Sequence, residues 1–318
     1  MRNSNWLFLC LLAYALPSPI RAQILQDRPE LCGNALVAIP LPPGVSAISN
    51  VVGLADLTIK LRDGSLKTME TDADEIRQVC PLDRDRLLLF GPVAGGDGYM
   101  VWILSQIDGA ILDILGARNP VVSPDQHWLV YRERYPTRSE VVWEQYLLYD
   151  LTKDAAHNAR PSGTPQWDVG GAGRMIFPVT ANRARLHGFV VAPDQRHEFA
   201  SESFFWSPDS RFIAFGNRVK RTTSVVIIDV GQGEPTAFVH PISASEICSG
   251  DEFGSRTLNG AIVSRVEFGV ERDTLPSIWA HFSLDAIDPR TKAACAKVPH
   301  LHSGNLRRAG VELHKELK

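Results

Sequence analysis

The chain has 318 residues, 44% of them hydrophobic and 22% charged, and a formal net charge of −3. That length supports a sizeable buried core in one or two domains. The near-neutral balance provides no global field to recruit nucleic acid or an anionic membrane.

Residues 1–22 read as a secretory signal, with Arg2 in a short n-region and an almost wholly apolar run from Trp6 to Leu16. Pro17 and Pro19 break the run, and Ala22 supplies a small residue at the cut. An earlier cut after Ala15 would leave a very short h-region. The run falls short of the ~20 apolar residues of a spanning helix. Leu9 is too large to precede Cys10 in a lipoprotein box, so no lipid anchor is expected. Cleavage leaves 296 residues (318 − 22). No second long apolar segment follows, so the mature chain is expected to have no transmembrane segment. The absence of an Asn-x-Ser/Thr sequon favours a periplasmic over a eukaryotic secreted setting.

Beyond the signal, strand signals follow one another. Leu36–Ile39, Ala47–Val52, Leu57–Leu61 and Leu66–Met69 form a first group, with Asp63-Gly64 as a hairpin turn. A second group runs from Ile76 to about Leu115 and contains Met100–Leu104. A third runs from Asn119 to about Asn158 and contains Tyr146–Tyr149. The fourth, Thr164 to about Glu198, has Met175–Phe177 and Phe189–Val191. The fifth, Ser203 to His240, ends in Val225–Asp229. The sixth, Glu246 to about Lys297, has Val263–Phe268 and Ile278–Leu284. After about Pro299 the chain turns basic and polar, and residues 300–318 read as a tail.

A turn motif punctuates these groups. Ser123-Pro124-Asp125 precedes Trp128–Tyr131, Ser207-Pro208-Asp209 precedes Phe212–Phe215, and Cys80-Pro81-Leu82-Asp83 precedes Leu87–Phe90. Asp83 and Asp125 are 42 residues apart (125 − 83), and Asp125 and Asp209 are 84 apart (209 − 125). Trp167-Asp168 and Asp251 fill the remaining slots. A period of about 40–45 residues with strand content marks an all-β β-propeller, one four-stranded blade per repeat. Six blades are counted over residues 23–299; seven also fits the arithmetic. Stacking blades radially covers both faces of every sheet. The recurring Asp83, Asp125 and Asp209 read as structural turn residues, each able to cap the backbone two residues on.

Four cysteines remain after cleavage: Cys32, Cys80, Cys248 and Cys295. Four cysteines in an exported chain allow up to two disulfides in three pairings. Cys248 with Cys295 is favoured because both fall in the last blade, leaving Cys32 with Cys80. Cys32 with Cys295, closing the ring, is the rival, and a chain without disulfides is the plain alternative.

The segment Phe204–Phe215 followed by Val225–Asp229 resembles the WD40-like (PD40) repeat of TolB-type propellers. That repeat has Trp-Ser-Pro-Asp-Gly, a strand, a loop, and a second strand ending in Asp. Ser123–Asp125 with Leu147–Asp150 matches it as well. TolB-type proteins also carry an N-terminal α/β domain, for which this chain leaves no room. The resemblance implies a periplasmic propeller that binds protein or peptide partners.

Catalytic signatures are missing from the sequence. There is no Gly-x-Ser-x-Gly elbow and no phosphate-cradling Gly-x-x-x-x-Gly-Lys. Gly170–Gly173 precedes a strand and reads as a loop. His197-Glu198 lacks the second His of a zinc-protease helix. Asp72-x-Asp74-Glu75 lacks the glycine of a calcium loop. His300-x-His302 reads as solvated in a polar tail. No cofactor and no metal are therefore expected. One constellation stands out: the loops joining strands two and three carry Arg132, Arg134 and Arg138, then Arg183 and Arg185, then Arg218, Lys220 and Arg221. Antiparallel order sets these loops on the face opposite the Pro-Asp turns. Arg forks suit carboxylate or phosphate, so the expectation is a scaffold binding an acidic protein or peptide. Hairpin loops charged only for solubility, with Glu133 and Glu140 compensating, are the plain alternative. An enzyme acting on extracellular carbohydrate through channel-mouth carboxylates is the rival of a different class.

Overall fold

The structure is a computed structural model. It describes residues 45–49, 55–71, 73, 76, 78–93, 99–136, 142–159, 172–177, 197–231, 233–250, 252–254, 258–269, 275–284, 289–302 and 307–308. The signal segment, Cys32, Arg138, Arg183, Arg185, Trp167-Asp168 and Asp251 lie outside the described residues.

The described chain is mostly antiparallel β-sheet, arranged as five sheets. The first is β1 (Val45–Ser49), β2 (Ala55–Lys60) and β3 (Leu66–Glu70). Its β2–β3 turn uses Gly64 at φ 87°, with the Gly64 amide donating to Leu61 O at 3.0 Å. The second is β4 (Gln78–Pro81), β5 (Arg86–Pro92), β6 (Tyr99–Ser105) and β7 (Ile111–Gly116). The third is β8 (Arg118–Val122), β9 (Trp128–Pro136), β10 (Val142–Asp150) and β11 (Arg174–Phe177). A short helix α1 (Ala155–Asn158), capped by Asp154, lies between β10 and β11. The fourth contains β12 (His197–Phe199), β13 (Phe205–Trp206), β14 (Phe212–Val219), β15 (Thr222–Asp229) and β16 (Thr236–Pro241). The fifth is β17 (Ala261–Phe268), β18 (Ile278–Leu284) and β19 (His300–Leu301). Helices α2 (Ala244–Ile247) and α3 (Pro289–Ala294) flank it, and β20 (Arg307–Arg308) pairs with β16.

The sheets stack face to face in chain order. Middle-sheet strands read as continuous apolar runs because alternate side chains enter two different cores. On β6, Trp102 and Leu104 meet Ile59 and Met69 of the first sheet, while Val101 and Ile103 meet Leu129 and Tyr131 of the third. On β14, Ile213 and Phe215 join Val130, Tyr146 and Phe177 of the third sheet. Phe212 and Ala214 turn the other way, onto Val263 and Ile278 of the fifth.

Three placements depart from the sequence reading. Met175–Phe177, assigned to a fourth blade, is instead β11, paired with β10 as the outer strand of the third sheet. The sheets bearing Asp125 and Asp209 are direct neighbours: Trp206 Nε1 donates to Val121 O at 3.3 Å, and the Asp125 amide donates to Ser210 Oγ at 3.0 Å. Double spacing along the chain therefore does not insert a sheet between them. Similarly, His300–Leu301, read as the start of a tail, is a strand of the fifth sheet.

Cys248 and Cys295 form a disulfide across 47 residues, which sets aside the Cys32–Cys295 pairing. Cys80 is disulfide-bonded too, to a partner outside the described residues. Among the described residues no helix is long and apolar enough to cross a membrane.

Candidate functional site

Each sheet end has its own chemistry. At one end sit the Pro-Asp turns. Ser123 Oγ donates to Asp125 Oδ1 at 2.5 Å and accepts from the Trp128 amide at 2.9 Å, while the His127 amide donates to Asp125 Oδ1 at 3.1 Å. The second copy repeats this: Ser207 Oγ to Asp209 Oδ1 at 2.5 Å, the Phe212 amide to Ser207 Oγ at 2.8 Å, and the Arg211 amide to Asp209 Oδ1 at 3.2 Å. Asp83 accepts from the Asp85 amide at 2.8 Å and from Arg86 Nε at 2.7 Å. Burial pushes the Asp83 carboxyl up, but the Asp85 amide and the Arg86 guanidinium outweigh it and hold the carboxyl below its usual range. All three carboxylates are spent on the backbone and side chains of their own turns.

Between their facing surfaces, the third and fourth sheets bury an aromatic wall. Tyr146 lies 4.8 Å from Phe215 and 5.6 Å from Phe177, centroid to centroid, and Phe199 lies 4.9 Å from Phe204. A polar relay is set into this wall. Tyr146 Oη donates to Asn217 Oδ1 at 3.3 Å, and Asn217 Nδ2 lies 3.1 Å from His197 Nδ1. An amide N–H has only a donor to offer, so His197 Nδ1 accepts and Nε2 keeps the ring proton. Burial holds the His197 pKa below its ordinary value, against the Asn217 hydrogen bond.

The predicted cations divide into several groups. Arg132 and Arg134 lie within β9, and Arg218 lies within β14, because both hairpins are longer than the sequence reading allowed. Arg132 Nε donates to Asn119 Oδ1 at 2.8 Å, and its guanidinium covers the Phe199 ring at 4.6 Å. Arg218 Nη2 donates to Ala261 O at 2.9 Å, binding the fourth sheet to the fifth. Lys220 and Arg221 form the exposed two-residue tip of the β14–β15 hairpin, closed by the Val219–Thr222 pair. Lys220 takes φ 55°, a positive value suited to such short turns.

Sequence reading missed Arg118, whose guanidinium lies 5.5 Å over Tyr99, and gave His197 and Asn217 no role. Their signal is tertiary, since His197 and Asn217 meet only when β12 pairs with β14. Among the described residues no group of three or more His, Cys, Asp or Glu side chains is placed to hold a metal ion.

No family model matches the chain, and no curated relative matches it. Solved structures similar to it include the following three. One is a protein from Lactobacillus plantarum, at 16% identity and TM-score 0.33, covering 79% of this chain and 69% of that one. Another is prolyl oligopeptidase B from Galerina marginata, at 8% identity and TM-score 0.36, covering 80% of this chain but 37% of that one. The third is TolB from Acinetobacter baumannii, at 13% identity and TM-score 0.22, covering 83% and 66%. Likeness at these values does not transfer an activity.

Proposed function

We propose that this chain is an exported propeller-type scaffold that binds an acidic protein or peptide segment at the strand ends of its third and fourth sheets. The observation carrying this reading is the placing of cations on hairpins of two neighbouring sheets: Arg132 of β9, its guanidinium over the half-buried Phe199 ring, and the exposed Lys220-Arg221 tip of β14–β15. The cations select carboxylates. Arg134, Arg138, Arg183 and Arg185 extend the same basic sector in this reading. The Cys248–Cys295 disulfide supports an oxidising, extracytoplasmic setting. The five stacked sheets act as blades, a rigid frame that presents the loops.

The test is capture from a native envelope extract with the mature chain from Gln23 as bait. A Lys220→Glu/Arg221→Glu variant runs alongside. Both residues are exposed at a turn, so the denaturation midpoint should hold within about 0.5 kcal/mol. Capture should fall by about tenfold as two exposed charge pairs are lost, and it should weaken with added salt. Equal capture by both chains would remove the basic face from the account.

A further inference from the structure

His300 and His302 were read from sequence as solvated residues of a tail, yet they stand at the end of a paired strand. Strand alternation sends Leu301, 1% exposed, into the core between the fourth and fifth sheets. It leaves the two imidazoles on the other face. His300 pairs with Trp279 of β18, and the two rings stack at 4.2 Å with an interplanar angle of 2°. His302 leans on His300, centroids 4.0 Å apart at 59°. His302 Nδ1 lies 3.3 Å from Ser277 Oγ. His300 Nε2 is buried and has no hydrogen-bond partner among the described residues.

We propose that His300 and His302 form a binding site for a late first-row divalent transition ion, with Cu²⁺ held most tightly. A buried ring nitrogen without a partner is costly, and a shared cation gives it one. Metal–imidazole bonds are about 2.0–2.1 Å long, so two ligand nitrogens sit roughly 3 Å apart. The His302 ring, centroid 4.0 Å from that of His300, is the neighbouring imidazole that would share the ion. In the tautomer with His302 Nδ1–H donating to Ser277 Oγ, Nε2 is left as the ligand. Imidazole pairs select Cu²⁺, Ni²⁺ or Zn²⁺ over the oxygen-seeking Mg²⁺ and Ca²⁺. Water completes the coordination on the exposed side.

Trp279 is a built-in reporter, because Cu²⁺ beside the ring stacked on it quenches its fluorescence. Titrating the mature chain with Cu²⁺ should give a saturable quench at one ion per chain by equilibrium dialysis, unaffected by excess Mg²⁺. Trp279→Phe should remove the quench and keep the bound ion. His302→Ala and His300→Ala should each weaken binding by more than the ~10–100-fold typical of losing an outer-shell partner. His302 is exposed, so His302→Ala decides the matter even if His300→Ala fails to fold. Unchanged binding in His302→Ala, or a quench that persists in Trp279→Phe, would overturn the site.

Discussion

Gln126 and Ser210 occupy the same turn position in the two Ser-Pro-Asp motifs, and both take the left-handed conformation, at φ 61° and 60°. An L-residue there costs about 1–2 kcal/mol, which glycine avoids at an entropic cost of about 0.5–1 kcal/mol. The Gln126 side chain is exposed, so Gln126→Gly should raise stability by about 0.5–1 kcal/mol in urea denaturation. Ser210→Gly should not, because Ser210 Oγ accepts from the Asp125 amide across the sheet contact. Losing that bond costs about 1 kcal/mol and cancels the gain. His197 supplies a pH dependence. Its folded pKa is depressed below the ordinary 6.5 by burial, so the unfolded chain takes up the proton first as pH falls. This contribution is fully present above 6.5 and is lost as pH drops through that value toward the folded pKa. Denaturation midpoints at about pH 7 and about pH 5.5 should therefore differ more in the wild type than in His197→Gln. Glu246 has a lowered pKa, with burial outweighed by Ser243 and His240. Its contribution is lost only at lower pH, in the carboxylate range, and does not blur the comparison.

A disulfide ties together the ends of the two helices that flank the fifth sheet. Around Cys248 and Cys295, the Ser249 amide donates to Ala294 O at 2.7 Å and the Lys297 amide to Ile247 O at 3.2 Å. Helix α2 begins with a capping box between Ser243 and Glu246. A bridge across 47 residues removes about 4 kcal/mol of unfolded-chain freedom in the loop-entropy account. Replacing both cysteines by alanine should lower stability by about 2–4 kcal/mol in guanidinium denaturation. A loss below about 0.5 kcal/mol would mean the surrounding hydrogen bonds suffice. This pair was readable from the sequence because both cysteines fall within one run of strands. The hairpins were readable for a similar local reason: Asp63-Gly64 and the Pro-Asp turns fix their own backbone through bonds two to five residues away. Met175–Phe177 was not, because a four-residue apolar strand fits either a new sheet or the edge of an old one. Only pairing with β10 decides between them. The spacing of 84 between Asp125 and Asp209 measures chain length, and an excursion of the chain lengthens it as well as a blade does. The sequence placed these cations in hairpins, but the hairpin length that puts Arg132 and Arg218 inside strands is set by register.

The stack coheres because each sheet is tied to the next by more than apolar contact, and the joint between the fourth and fifth sheets shows how. Between β12 and β13 the chain leaves β14 and crosses to β17. The Ala200 amide donates to Gly216 O at 2.9 Å, the Val263 amide to Ala200 O at 2.9 Å, and the Glu202 amide to Val263 O at 2.9 Å. Ser201 Oγ donates to Ser203 O at 2.7 Å and lies 3.1 Å from Val263 O. One short segment thus bonds to both sheets, and β14 can come this close only because residue 216 has no side chain. A Cβ at Gly216 would stand 1.9 Å from Ala200 O and 2.8 Å from Val263 Cγ2. Backbone on one side and a buried valine on the other leave no cheap relaxation. Gly216→Ala should therefore cost more than about 3 kcal/mol, in the range reserved for broken cores. Gly116, the last residue of β7, is the matched control, since a Cβ there meets nothing within 4 Å. Gly116→Ala should be neutral or stabilising by up to about 1 kcal/mol through the unfolded chain. If the two alanine variants unfold at the same denaturant concentration, the close approach at Ala200 is not what joins these sheets. If they separate as expected, the crossing segment holds the fourth sheet in register with the fifth, and the exposed Lys220-Arg221 tip can be substituted without disturbing that joint.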